Sequence, residues 1–325
     1  MELFEYVHAS STKEAIGMLG SSWDAAAVLA GGTDILSLMK EHVMTPKRVV
    51  NIKGIAELAG IRPGADGLTI GALTTIEELR ASADVRTGFP ALAHAAEGIT
   101  SPQMRNMGTV GGDLCQRPRC WYFRRGFGLL GLQDGKSLVP NGDNRYHSIF
   151  GTGPAYFVSA SSLAPALIAL GAQVKLVSAS GQRMVSVEKF FVSPQSESTR
   201  EIALLPNEIL TEIQVPAARG IKNATYEVRH KEALDWPLVT ASVALQMSGS
   251  SVGQAHVVLG HVAPTPWVAT EAQSALAGKA LSPETIEAAA KAAVVGAQPL
   301  SGNSYKVKLA VVAVKRALLE ASGRA

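Results

Sequence analysis

The strongest constraint on this chain is a glycine pair that stands twice between an apolar stretch and an amphipathic one. Gly31 and Gly32 close the β-branched, apolar run at 27–30 and open ILSLMKEHV, while Gly111 and Gly112 follow MRNMGTV and precede DLCQ. A glycine backbone, having no Cβ, can approach a bulky anion closely, and the start of a helix presents unpaired N–H groups with partial positive charge. One such pair is more often a plain tight turn. Two of them can grip one diphosphate from both sides. Neither reads G-x-G-x-x-G, and no acidic residue follows where a ribose would need one, so the dinucleotide fingerprint is absent.

The chain has 325 residues, more than one hydrophobic core usually serves, and it is 47% hydrophobic and 18% charged, which is a globular composition. Its periodicities alternate between strand and helix. A strand is expected at 4–7, then a helix capped at Ser10 or Ser11 with Glu14 in its first turn. RVVNI and residues 68–70 suit strands, and TIEELRAS and ALAHAAEGI suit helices. MRNMGTVGGDLCQ reads as a glycine-rich loop and 126–153 as an extended surface excursion, followed by the helix SSLAPALIAL and the strand AQVKLVSA. Residues 215–222 look like a boundary, beyond which come the strands VTASVALQM and AHVVLGHVA and an alanine-rich helical tail after Ser282. The stripes ALIAL and LAVVAVKRALL are core faces.

Several functions are disfavoured at once. Net charge is +3 without a long single-sign run, so a nucleic-acid partner is not implied. The start MELFEYVHAS lacks the parts of a secretion signal and no window reaches 18 apolar residues, which makes a cytoplasmic protein with no membrane partner the expectation. Two cysteines, Cys115 and Cys120, cannot make a four-thiolate site and are expected as buried free thiols rather than a disulfide. The histidines show no H-x-x-x-H spacing, so no metal site is assigned, and His147 is read as a hydrogen-bonding residue of its loop. No G-x-S-x-G elbow is present and no catalytic acid or base is assigned. The run Arg117, Arg119, Trp121, Tyr122, Phe123, Arg124 and Arg125 suits a protein interface better than a nucleic-acid surface.

AGGTDILSLMK and MRNMGTVGGDLCQ resemble the two FAD loops of the flavin subunits of molybdenum hydroxylases, the xanthine dehydrogenase family, and RCWYFR, GDNRYHSIFG and SSLAPALIALGA resemble its bacterial xanthine and aldehyde dehydrogenase branch. The likeness runs through essentially the whole chain. It implies an α+β fold of the PCMH-type FAD-binding class: two subdomains at about 1–55 and 56–218, then a C-terminal α+β domain at 222–325 with a small antiparallel sheet. It implies that Leu29, Ala30, Gly31, Gly32, Thr33, Asp34, Ile35 and Leu36 hold the FAD pyrophosphate, that Thr109, Gly112 and Asp113 meet it from the second loop, and that Ser162 bonds the nucleotide end. Leu210, in NEILTEI, would pack on the flavin, and Lys231, in VRHKEALDW, falls near a basic position beside it.

The chain departs from the pattern in three places. Asp113 stands where asparagine is common, so its carboxylate must turn from phosphate or bind a donor. Ser162 replaces a frequent aspartate. Some relatives carry an extra iron–sulfur cluster on the excursion, but no cysteine follows Cys120, so none is expected in this chain. The resemblance implies an electron conduit: a large subunit with the molybdenum cofactor hydroxylates the substrate, a small subunit with two [2Fe–2S] clusters relays electrons, and FAD here passes them to NAD+ or another acceptor. Two other readings stay open, a stand-alone FAD-dependent reductase or oxidase and a flavin-free assembly module.

Overall fold

The computed structural model describes residues 1–99, 101–151, 153–231 and 235–324, so Thr152 of the expected excursion and Ala325 of the expected C-terminal domain lie outside the described residues. The first layer is a parallel sheet. Strand β1 (Glu5–His8) and β2 (Ala27–Leu29) flank β3 (Arg48–Asn51), with helix α1 (Thr12–Met18) between β1 and β2 and α2 (Ile35–Lys40) between β2 and β3. Ser11 caps α1 by accepting the Glu14 N–H (3.2 Å), while Ser10 bonds the Glu14 carboxylate, so the two serines divide the work expected of one. Helix α2 stops at Lys40, earlier than the periodicity predicts, and His42 turns the chain at φ 58°.

The second layer is an antiparallel sheet of β4 (Ile61–Gly64), β5 (Gly67–Gly71), β8 (Gln173–Ser178), β9 (Gly181–Ser186) and β10 (Ile209–Pro216), in the order β4-β5-β10-β8-β9; the short hairpin β6 (Leu132–Gln133) and β7 (Lys136–Ser137) stands apart. Helices α3 (Ile76–Ala81), α4 (Ala83–Gly88), α5 (Pro90–Glu97), α6 (Pro102–Met107) and α7 (Val110–Cys115) follow β5, then α8 (Trp121–Arg124), α9 (Ala164–Ala169) and α10 (Val187–Phe190). The alanine-rich α5 and α9 are buried on nearly every face, and they carry the main core against β5, β8 and β10. Thr75 starts α3 with a complete capping box closed by Glu78.

Two expectations are corrected here. MRNMGTVGGDLCQ is not a loop but the end of α6 and all of α7, hinged at Gly108; Gly111 sits inside the helix, where a Cβ would lie 2.8 Å from that of Ala72. Glycine serves close packing there as well as a turn, and glycine content alone does not separate the two. Nor is 126–153 wholly a surface excursion: 133–136, 141–143, 145 and 146 are exposed, but Leu129, Leu130, Val139, Asn144, His147, Ser148, Ile149 and Phe150 are buried.

The third layer is the antiparallel sheet β11 (Ile221–Val228), β12 (Val239–Ser248), β13 (Ser251–Gly260) and β14 (Trp267–Val268), covered by α11 (Thr270–Leu276), α12 (Pro283–Ala292) and α13 (Tyr305–Ser322). Ile149 and Phe150 reach into this core, where Phe150 stacks on Trp267 with ring centroids 4.6 Å apart. Lys306, buried in α13, donates to the carbonyl oxygens of Tyr146 (3.2 Å), His147 (3.2 Å) and His261 (2.5 Å). The former excursion is thus a strap bound from both sides.

Candidate functional site

Strand β2 ends at Leu29, and Ala30, Gly31, Gly32, Thr33 and Asp34 form the turn into α2. The N–H groups of Gly31, Gly32, Thr33, Asp34 and Ile35 find no acceptor among the described residues; the first bond of the turn is donated by Leu36 to the Gly32 carbonyl (3.4 Å). Five successive free donors around a glycine at φ 76° (Gly32) make a concave, positive surface suited to phosphate. The second glycine segment closes on it: a Cβ on Gly31 would fall 1.8 Å from the Met107 carbonyl oxygen. Thr109 caps α7 by accepting the Gly112 N–H (3.1 Å).

The two segments form the shared wall of two neighbouring chambers. Thr33, Asp34, Thr109, Gly112 and Gln116 border both. The first chamber is mainly apolar, with Trp23, Val28, Ile35, Leu38, Ile202 and Leu204, and Ala30, Gly31 and Gly32 on its floor. The second has Ile76, Ile99, Met104, Asp113, Ser162 and Trp236. Leu29, Leu36, Leu210 and Lys231 border neither: Leu29 is buried with Met39 and Val49, Leu36 is exposed, Leu210 is buried in β10 within the main core, and Lys231 is exposed just past β11.

Asp113 resolves the conflict its sequence position raises. Its carboxylate accepts the Ser161 hydroxyl, the N–H groups of Leu163 (3.1 Å) and Ser162 (3.3 Å), and Gln116 Nε2 (3.0 Å). It fastens α7 to the turn that starts α9. Burial still pushes its pKa up, with those hydrogen bonds opposing the rise. Burial also pushes the Cys115 thiol, in the wall of the first chamber, up to about 12, so it is an unreactive neutral group. Both cysteines are free, and Cys120 lies 3.1 Å from His147 Nε2.

Arg117, Arg119 and Arg124 of the basic run turn inward, while Arg125 is exposed and Trp121 and Tyr122 are half-buried. Asp34 accepts the Arg117 N–H (2.8 Å) and pairs with Arg124 (2.8 Å) and Arg119 (3.2 Å), so two of these arginines fix the side chain beneath the first glycine turn. Arg117 pairs with the buried Glu201 at 2.5 Å. Glu201 also faces Arg200 (3.5 Å), whose guanidinium lies 4.0 Å over the Trp23 ring. Arg117, Arg200 and Trp23 all line the first chamber, and sequence reading missed Trp23, Arg200 and Glu201. The one available signal was an arginine–glutamate pair entering the apolar stretch IALL.

The donors, the close approach at Gly31 and the two chambers beside them fit a dinucleotide with a ring system at each end. Comparison with known proteins agrees. The family described as the FAD binding domain in molybdopterin dehydrogenase matches residues 2–218, and the CO dehydrogenase flavoprotein C-terminal domain matches 224–321. The carbon monoxide dehydrogenase medium chain of Hydrogenophaga pseudoflava is 32% identical over 326 residues, covering 99% of this chain and 98% of that one. The FAD-binding subunit of an aldehyde oxidoreductase of Escherichia coli is 29% identical, covering all of both chains (100% and 100%). Among solved structures, carbon monoxide dehydrogenase from Hydrogenophaga pseudoflava superposes with a TM-score of 0.76 at 32% identity over 99% of this chain and 98% of that one. Reconstituted CO dehydrogenase from Oligotropha carboxidovorans superposes with 0.78 at 26%, over 100% and 99%.

Proposed function

The chain belongs to the family of FAD-binding subunits of molybdenum hydroxylases, and from that premise we propose that it carries electrons from an iron–sulfur subunit to NAD+ or another acceptor, while a molybdenum subunit oxidises the substrate. The observation that carries the reading is the junction of the two glycine segments, where five backbone N–H groups without an acceptor among the described residues meet the start of α7. FAD supplies the chemistry that joins one-electron and two-electron carriers. The chain's own part is to hold and orient it. Gly31, Gly32, Thr33, Asp34 and Ile35 would take one side of the pyrophosphate through their backbone N–H groups; on the other side Thr109 would offer its hydroxyl, and Gly112, whose N–H is taken by Thr109, would let the anion approach its bare Cα. The ring systems at the two ends of FAD would lie in the two chambers, one walled by Trp23 and the other by Ser162 and Trp236.

Asp113 would act at one remove, by keeping the Ser162 turn in place. A large molybdenum subunit and a small [2Fe–2S] subunit would be the partners, in the cytoplasm; among the described residues no helix is long and apolar enough to cross a membrane. The purified chain is expected to hold one FAD, released on denaturation and identified by mass, and to leave purines and aldehydes unoxidised until the partner subunits are added. A colourless chain that takes up no FAD would return the glycine segments to the role of structural turns. Oxidation of either substrate by the chain alone would move it to the stand-alone flavoenzymes.

A further inference from the structure

A third chamber adjoins the second, built from parts that the glycine segments do not touch. It encloses about 210 Å³ and meets the second chamber at Arg119, Trp236 and Pro237, while no residue of the turn at 29–36 or of α7 lines it. Trp121, Tyr146, Phe157 and Trp236 give it aromatic walls. Lys306 lines it as well, its ammonium held by the carbonyl oxygens of Tyr146, His147 and His261, with no carboxylate partner among the described residues. A carbonyl satisfies a donor but brings no countercharge, and burial accordingly lowers the pKa of Lys306 to about 7. Of the other charged or titratable groups in the wall, Arg119 is answered by Asp34 (3.2 Å), Asp235 faces the Arg229 charge, and His230 is exposed. His147 and His261, 3% and 4% exposed, stay neutral at neutral pH, and His147 Nδ1 and His261 Nε2 are buried without a hydrogen-bond partner among the described residues. Buried polar atoms are rarely left unpaired, and a buried cation without an anion is costlier still.

We propose that this third chamber binds a small planar aromatic anion of the aromatic carboxylate class, with its ring between the aromatic walls, its charge answering Lys306 and its polar atoms meeting the two free histidine nitrogens. The size follows from the volume: an apolar cavity of ~150 Å³ already takes benzene, so this one has room for a single ring with a carboxylate. The sign of the charge follows from Lys306. The flat shape follows from the walls, where Trp121 and Tyr146 meet edge to face at 5.6 Å and the Arg119 guanidinium lies 4.9 Å over the Trp236 ring, leaving aromatic surface for a ring to pack on. The site stands on the geometry of this chamber, whether or not the neighbouring cleft holds FAD. Because Arg119 and Trp236 wall both, an occupant would touch the cofactor cleft from outside, as an effector does.

The test is a calorimetric titration of the full-length, FAD-loaded chain with benzoate and with benzamide, a neutral molecule of nearly the same shape. Benzoate should saturate at about one per chain, with a dissociation constant about tenfold or more below that of benzamide. Its heat of binding should differ between two buffers of different ionisation enthalpy, because an anion beside Lys306 restores the proton that burial has made it partly lose at neutral pH. Val158→Trp, which fills the chamber from a half-buried position in its wall, should remove benzoate binding while FAD content stays at the wild-type level. Lys306→Met, where it folds, should bind the two probes equally. Equal affinities in the wild-type chain, no saturable binding of either probe, or undiminished benzoate binding in Val158→Trp would each overturn the inference and leave the flavoprotein reading standing. A chain that takes up no FAD but binds benzoate in this way would remove that reading and keep the chamber.

Discussion

At the scale of single residues, the molecule concentrates its risk in buried polar groups with defined partners. Asp113 satisfies the Ser161 hydroxyl, two backbone N–H groups and Gln116. Truncating it leaves several buried donors unpaired, at about 1–3 kcal/mol each where water cannot reach. Asp113→Ala should therefore cost at least ~2 kcal/mol, seen as a fall in denaturant midpoint, and should weaken FAD retention without any contact of its own to the cofactor. The histidines of the strap give a pH prediction. Burial, helped by the nearby Lys306 charge, lowers His147 to about 4 and His261 to about 3, from 6.5. The unfolded chain takes up protons below pH 6.5 that these folded histidines refuse, so their stability contribution is present above 6.5 and is lost as pH falls towards those values. The loss is at most about 3 kcal/mol for His147 and about 5 kcal/mol for His261, and His147→Gln and His261→Asn should each flatten the fall in urea midpoint between pH 6.5 and 4.

At the scale of elements, the close pass of the first glycine turn beneath the end of α6 governs the site. A methyl group on Gly31 would overlap the Met107 carbonyl at 1.8 Å, and backbone cannot yield as a side-chain tip does. Gly31→Ala should give a folded chain that copurifies without FAD, checked by circular dichroism and by the absorbance ratio of flavin to protein. A variant retaining full FAD would show that the two segments are free to separate. Most strands, the Ser11 cap, the break between β10 and β11 and the terminal helices were legible in the sequence because each follows a local rule of period, cap or breaker. The nature of the α7 glycines was not legible. Gly111 packs on Ala72, which is distant in sequence, and Gly112 gives its N–H to Thr109, so the same letters spell a helix start and a loop. The arginines at 117, 119 and 124 looked like a partner surface for a related reason. Their carboxylate partners, Asp34 and Glu201, lie far away along the chain, and composition carries no record of that pairing.

At the scale of the whole molecule, the strap at 144–150 fastens the chain before β10 to the elements that follow it. Ile149 and Phe150 both donate their N–H groups to the Val262 carbonyl (2.8 and 3.1 Å), and Asn303 donates to the carbonyls of His147 (3.1 Å) and Ser148 (3.0 Å). Phe150→Ala empties a site that is 1% exposed, for a cost of about 3–5 kcal/mol. The expected result is one lowered melting transition followed identically by Trp267 fluorescence and by FAD release. Two separated transitions would mean that the parts unfold independently.

The strap also sets an order of events at the ribosome. Phe150 emerges long before β13, β14 and α13, the elements that enclose it, so the nascent N-terminal part must hold an exposed aromatic side chain until the last hundred or so residues are made. A translation product that stops before β13 would therefore expose an apolar surface that chaperones and proteases recognise.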